Sequence, residues 1–169
     1  MFEAQTITEA GADADKPEFY RALGRQVDAL LEGERDPIAN AANISALLFQ
    51  LLPDLNWAGF YFMRDGELVL GPFQGKPACV RITVGKGVCG TAVAQRQSIV
   101  VEDVDAFPGH IACDSASRAE LVVPLERGDT VVGLIDLDSP TPGRFDADDR
   151  AGIEGVAQRY LLSIRGGNP

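Results

Sequence analysis

A chain of 169 residues, 46% hydrophobic and 24% charged, has the composition of one ordinary globular domain. At that length folding hides roughly 70% of the surface an unfolded chain exposes, so no disulfide framework is required. A net charge of −10, with the basic residues scattered, argues against nucleic-acid or anionic-membrane partners.

The first fourteen residues read as a flexible arm. The opening MFEAQTITEAGADAD has no basic region ahead of an apolar core, and no apolar run reaches membrane length, so a cytoplasmic location is expected. Asp15 then opens a helix as N-cap, with Pro17 in its first turn and Glu18 closing a capping box. Phe19, Leu23, Val27, Leu30 and Leu31 follow at helical spacing until Gly33 stops it. A second helix starts after Asp36 with Pro37 at its first position, carries Ile44, Leu47, Leu48 and Leu51, and ends before Pro53.

Both helices are amphipathic and need an apolar surface, which six short strands supply. Asn56 to Met63 and Glu67 to Phe73 flank the hairpin turn Arg64-Asp65-Gly66. Ala78 to Thr83 makes a third strand, a short helical turn spans roughly Gly90 to Gln95, and Ser98 to Val101 makes a fourth. Leu121 to Glu126 and Val131 to Leu137 are joined through Arg127-Gly128-Asp129-Thr130. Asp146 or Asp148 caps a last helix striped by Ile153, Val156, Ala157, Tyr160, Leu161 and Ile164. Strands in hairpin order with helices at the two chain ends predict an α+β fold. Its antiparallel sheet carries the N- and C-terminal helices on one face, and the long connection from Gly71 to Ala119 covers a ligand pocket on the other.

Strand alternation sorts the residues of that second face. Trp57 and Tyr61 point the same way, away from Phe60 and Phe62, as a pocket wall or as ordinary core aromatics. Asp136 and Asp138 face opposite Ile135 and Leu137. Carboxylates there are costly unless they bind something or, for Asp138, cap the strand end. Glu120 joins them only in one register. A plain two-residue Gly128-Asp129 loop would turn Leu121, Val123 and Leu125 to the wrong face, whereas a three-residue loop or a bulge pairs Glu120 with Asp136 or Asp138. Three close carboxylates cannot all ionise cheaply, so one is expected to keep its proton near neutral pH.

The stretch Asp103 to Leu125 holds the only histidine, His110, beside Cys113, in a turn-rich loop that feeds a strand. The cysteines, at 79, 89 and 113, form no CxxC pair, and one His without a close Cys pair makes a poor zinc site, so no metal is expected. The residues alone leave open a Cys-His nucleophile or three inert thiols.

Four segments, in this order and spacing, carry a more specific signal: GVCGTA (87–92), AFPGHIACDSAS (106–117), ELVVPL (120–125) and GLIDLDSP (133–140). Together they resemble the free methionine-(R)-sulfoxide reductases, enzymes built on a GAF domain, which would here span residues 15–165. The resemblance implies a pocket for free methionine (R)-sulfoxide, with Cys113 as nucleophile, Cys79 as the preferred resolving cysteine, and Cys89 as a pocket thiol or alternative resolver. It implies Glu120, Asp136 and Asp138 as substrate-binding acids, with Trp57 and Tyr61 around the methyl end. No cofactor is implied. The reductant is an external dithiol, the thioredoxin and NADPH system, and a homodimer follows from family analogy alone.

Chemically, a sulfoxide oxygen leaves only once hydrogen-bonded or protonated, and Glu120 is the first choice for that acid. Asp136 or Asp138 would hold the substrate ammonium and so favour the free amino acid over a peptide-bound one. Nearby carboxylates oppose a Cys113 thiolate. Protonation of one acid, the substrate ammonium, or backbone amides after Asp114 would each relieve this. The alternative function is a non-enzymatic GAF sensor that binds a small ligand.

Overall fold

The computed structural model describes residues 15–109 and 115–164. The proposed N-terminal arm, His110 and Cys113 lie outside them. Helix α1 (Lys16–Leu30) is capped by Asp15, whose side chain accepts the Glu18 N–H. The Glu18 carboxylate turns to Arg21 rather than closing the expected capping box. Helix α2 (Pro37–Leu51) starts where Asp36 accepts the N–H groups of Ile38 and Ala39. The turn between β1 (Trp57–Arg64) and β2 (Glu67–Gly75) has positive φ at both Asp65 and Gly66, the geometry whose twist matches a hairpin.

Beyond that hairpin the chain departs from expectation. The third strand, β3 (Arg81–Thr83), starts later than predicted, and helix α3 (Gly87–Gln95) begins three residues earlier. Two glycines in its first turn mask the helix in a propensity reading. Gly90 is there because a Cβ would collide with the Thr83 carbonyl oxygen, so its absence lets α3 lie against the end of β3. Strand β4 (Ile99–Val101) follows where expected, and a 3-10 turn (Val104–Ala106) adds an element not expected from the sequence. Strands β5 (Ala119–Arg127) and β6 (Thr130–Ser139) are both longer than predicted. Asp146, not Asp148, caps α4 (Ala147–Ser163), in a capping box with Asp149.

All six strands pair antiparallel in the order β3-β2-β1-β6-β5-β4. One face packs Phe60, Phe62, Leu121, Leu125, Ile135 and Leu137 against α2 and α4, with α1 lying against α4, and Tyr160 meets both phenylalanine rings, tilted on Phe60 and stacked on Phe62. Deleting a ring from such a site costs about 3–5 kcal/mol. The other face carries Trp57, Tyr61, Leu68, Ile82, Val122 and Leu134 under α3 and Val104. The site therefore forms between the sheet and the one helix that the end-helix scheme left out of the layers.

A buried carboxylate ties the outer layer together. Asp149, 1% exposed, accepts from the Tyr20 hydroxyl at 2.7 Å, from Lys16 Nζ at 2.7 Å and from Arg144 at 3.2 Å, linking α1, α4 and the segment before α4. Asp149→Ala leaves these donors facing an uncompensated site and should lower unfolding free energy by about 3 kcal/mol, read from the urea midpoint at constant m.

Candidate active site

Hairpin register decides what faces the cavity. Arg127 pairs with Thr130 across the two-residue Gly128-Asp129 loop, and Glu126 pairs with Val131. The next pair is Leu125 with Gly133, so Val132 is an extra residue. This bulge shifts the ladder by one and sets Glu120 opposite Asp138 and Leu121 opposite Leu137, as the burial argument required. On the other edge of β6, Trp57 pairs with Asp138 and Gly59 with Asp136. Alternation then sends Trp57, Tyr61, Glu120, Asp136 and Asp138 to one face.

These five side chains line one cavity of about 40 Å³, with Cys89, Ser117 and Ile82 among the other walls. Trp57 and Tyr61 stack with centroids 6.0 Å apart and make its aromatic side. Each is also anchored by its polar tip. Trp57 Nε1 donates to the Lys76 carbonyl at 3.1 Å, and the Tyr61 hydroxyl donates to the Cys79 carbonyl at 2.8 Å. Gly87, Val88 and Cys89, the first turn of α3, line the same cavity, and Lys86 at the N-cap supplies no side-chain acceptor. The positive end of a helix thus meets a nest of acids.

Burial dominates the electrostatics. It pushes the Glu120 carboxyl well up, and Asp136 and Asp138 push it further. Asp136 rises to about 7, also through burial, against a hydrogen bond with Cys89 that favours its ionised form. The Cys89 thiol is driven well above its usual range by burial first and then by Asp136, Glu120 and Asp138. Cys89 Sγ lies 3.8 Å from Glu120 Oε1, within reach of a weak thiol donor. Asp136 Oδ1 is buried with no hydrogen-bond partner. An acceptor left so in an acid-rich cavity marks a place for a cation or a proton donor.

The structure brings together all the sequence-predicted site residues among those it describes, except that Cys79 is placed by its carbonyl rather than as a cavity wall. Cys79 is disulfide-bonded and Cys89 is free. The segment that carries His110 and Cys113 springs from a pinned base. Val104 N–H donates to the Arg118 carbonyl at 2.8 Å, and Arg118 pairs with Asp103 at 2.9 Å, two residues before Glu120. Sequence reasoning missed Ser117, which is buried and whose Oγ accepts from Asn56 Nδ2 at 3.1 Å, and the α3 N-terminus. Neither has a charge or a periodicity to reveal it. Sγ of Cys89 and carboxylate oxygens of Glu120 and Asp136 lie within 4.8 Å of one another, the one group among the described residues with the chemistry to hold a metal ion.

The raised acids carry a pH signature. An aspartate near 3.9 when unfolded and near 7 when folded makes the native state bind a proton that the unfolded state has released. Its contribution to stability is complete below about pH 4 and is lost as pH rises through about 7. Asp136→Asn removes this dependence, so its unfolding free energy relative to the parent should improve by about 1–3 kcal/mol between pH 5 and pH 8, measured by urea titration at each pH. A difference that stays flat with pH would show Asp136 to be ordinarily acidic.

The GAF domain family profile matches residues 40–163. The chain is 55% identical over 139 residues to the free methionine-R-sulfoxide reductase of Escherichia coli, covering 82% of this chain and 84% of that one. Among solved structures, the Staphylococcus aureus fRMsr in complex with substrate is 46% identical, with a TM-score of 0.82 over 86% of this chain and 95% of that one. The free methionine-R-sulfoxide reductase of Neisseria meningitidis in complex with its substrate is 39% identical, with a TM-score of 0.87 over 94% and 95% of the two chains. Fold and relatives agree that this chain belongs to the GAF-domain family of free methionine-R-sulfoxide reductases.

Proposed function

We propose that the protein reduces free L-methionine (R)-sulfoxide to methionine by thiol chemistry in the Trp57–Glu120–Asp136 cavity. The observation that carries this reading is the set of acids Glu120, Asp136 and Asp138 on one sheet face beside the stacked Trp57 and Tyr61. The relatives named for this activity support it.

Each end of the substrate has a chemically matched wall. The ammonium goes to Asp136 and Asp138, where the open Asp136 Oδ1 supplies an acceptor. The carboxylate goes to the N–H groups at the start of α3. The methyl and methylene carbons lie on Trp57 and Tyr61. The sulfoxide oxygen meets Glu120, which burial keeps protonated and therefore able to donate.

In the first step the Cys113 sulfur attacks, the S–O bond of the substrate breaks, and the oxygen leaves on sulfur as Cys113 sulfenic acid. Methionine sulfur gains two electrons and Cys113 loses them. Cys79 then condenses with the sulfenic acid, expelling water and forming a disulfide. The bonded state of Cys79 and the free state of Cys89 support Cys79 as resolver. Thioredoxin or a similar dithiol restores both thiols by exchange, drawing on NADPH. Protonated Glu120, and an Asp136 that is only partly ionised near neutral pH, also reduce the negative field that would otherwise hold a Cys113 thiolate back.

The test is methionine release from free R and S sulfoxides and from a peptide-bound sulfoxide, with thioredoxin, its reductase and NADPH present. Turnover of the free R form alone is expected. No turnover with any form, while calorimetry still registers binding, would make the domain a small-molecule sensor. Cys113→Ser should abolish even the first turnover, and Cys79→Ser should allow one turnover without recycling. Glu120→Gln should lower kcat by about 100-fold with KM little changed. An unchanged kcat would remove Glu120 from the acid role.

A further inference from the structure

We propose that the cavity is also a binding site for a thiophilic divalent cation, held by Cys89, Glu120 and Asp136, and that such an ion competes with the amino-acid substrate. The competition, though not the metal site itself, rests on the function proposed above.

The donor set comes from three different elements. Cys89 is on α3, Glu120 on β5 and Asp136 on β6, and one donor atom from each lies within 4.8 Å of the others. A tetrahedral ion with bonds of about 2.3 Å to sulfur and 2.0 Å to oxygen needs donor separations of roughly 3.3–3.5 Å. Cys89 Sγ and Glu120 Oε1 are already 3.8 Å apart, a few tenths of an ångström from that separation, and the Asp136 oxygen lies within 4.8 Å of both. All three residues are buried, at 4%, 6% and 7% exposure. Asp136 lines the cavity, and its buried Oδ1 has no hydrogen-bond partner, an acceptor awaiting a cation.

The chemistry selects the ion. One sulfur and two carboxylate donors suit zinc, cobalt or cadmium better than magnesium or calcium, which take oxygen alone. Binding expels the Cys89 thiol proton and any carboxyl protons to solvent, since a thiol ligates as thiolate. Three protein donors leave the fourth position of a tetrahedral ion open to water. This is an inhibitory occupant rather than a resident cofactor, because it takes the acids assigned above to the substrate ammonium and sulfoxide oxygen.

Cobalt(II) reports the site directly through the thiolate-to-metal charge-transfer band. The full-length Cys79→Ser/Cys113→Ser variant keeps Cys89 as its one thiol, so any such band belongs to Cys89. One equivalent of cobalt should bind with the band, and free methionine sulfoxide should bleach it. Adding Cys89→Ser should abolish the band, and Asp136→Asn, with its melting temperature recorded to establish folding, should weaken binding about tenfold or more. No band before Cys89 is replaced, or a band that survives its replacement, overturns the site. A band untouched by saturating sulfoxide overturns the competition. The titration needs no turnover. A band in this variant together with no turnover by the parent chain sinks the reductase reading alone, and turnover by the parent without a band in the variant sinks the metal site alone.

Discussion

The register of one hairpin sets everything else at the site. Without the extra residue at Val132, the ladder between β5 and β6 would slip by one, and because side chains alternate, Leu121, Val123 and Leu125 would turn out of the helix-side core. The same slip would drive Glu120 away from Asp138. Core packing and site assembly are therefore one constraint, and the apolar residues of β5 enforce the placement of its acid. Gly133, where a Cβ would collide with the Tyr61 carbonyl oxygen, lets β6 run close against β1 directly after the bulge.

Once the acids share a face, burial decides their chemistry. Three carboxylates and a thiol packed between the sheet and α3 cannot all carry charge, so Glu120 and Cys89 are held protonated and Asp136 titrates near neutrality. A cavity that hoards protons beside an open acceptor is suited to a ligand that is both a cation and a hydrogen-bond acceptor, which a free amino-acid sulfoxide is. The unprotected N-terminus of α3 complements the third feature of such a molecule, its carboxylate. Peptide-bound sulfoxides carry neither terminal charge and would leave the cavity's polar groups unmatched.

Much of this was legible in the sequence because it follows from period-two alternation. The opposite orientations of Trp57 and Phe60, the common face of Asp136 and Asp138, and the need for a bulge all came from asking where apolar residues must point. Elements whose stability is borrowed from neighbours were harder to read. Helix α3 carries Gly87, which has a positive φ, and Gly90, needed for backbone approach to β3, and three-residue edge strands have too little pattern to bound. In the sequence nothing sets Asp149 apart from the other acids at the start of α4, and its role appears only when Lys16, Tyr20 and Arg144 converge from distant sequence. The proximity of Cys89 to Glu120 is a tertiary fact of the same kind. The role of Cys113 came from motif resemblance, and it lies with His110 outside the described part of the structure.

The claim on which the chemistry rests is that this acid cluster keeps a proton at neutral pH. Infrared difference spectroscopy of the carboxylic C=O stretch, comparing the parent with Glu120→Gln at pH 7, tests it most directly. A protonated-carboxyl band in the parent that is lost in the variant is the predicted result. A parent spectrum with only ionised carboxylates would contradict the account and leave the sulfoxide oxygen without its acid.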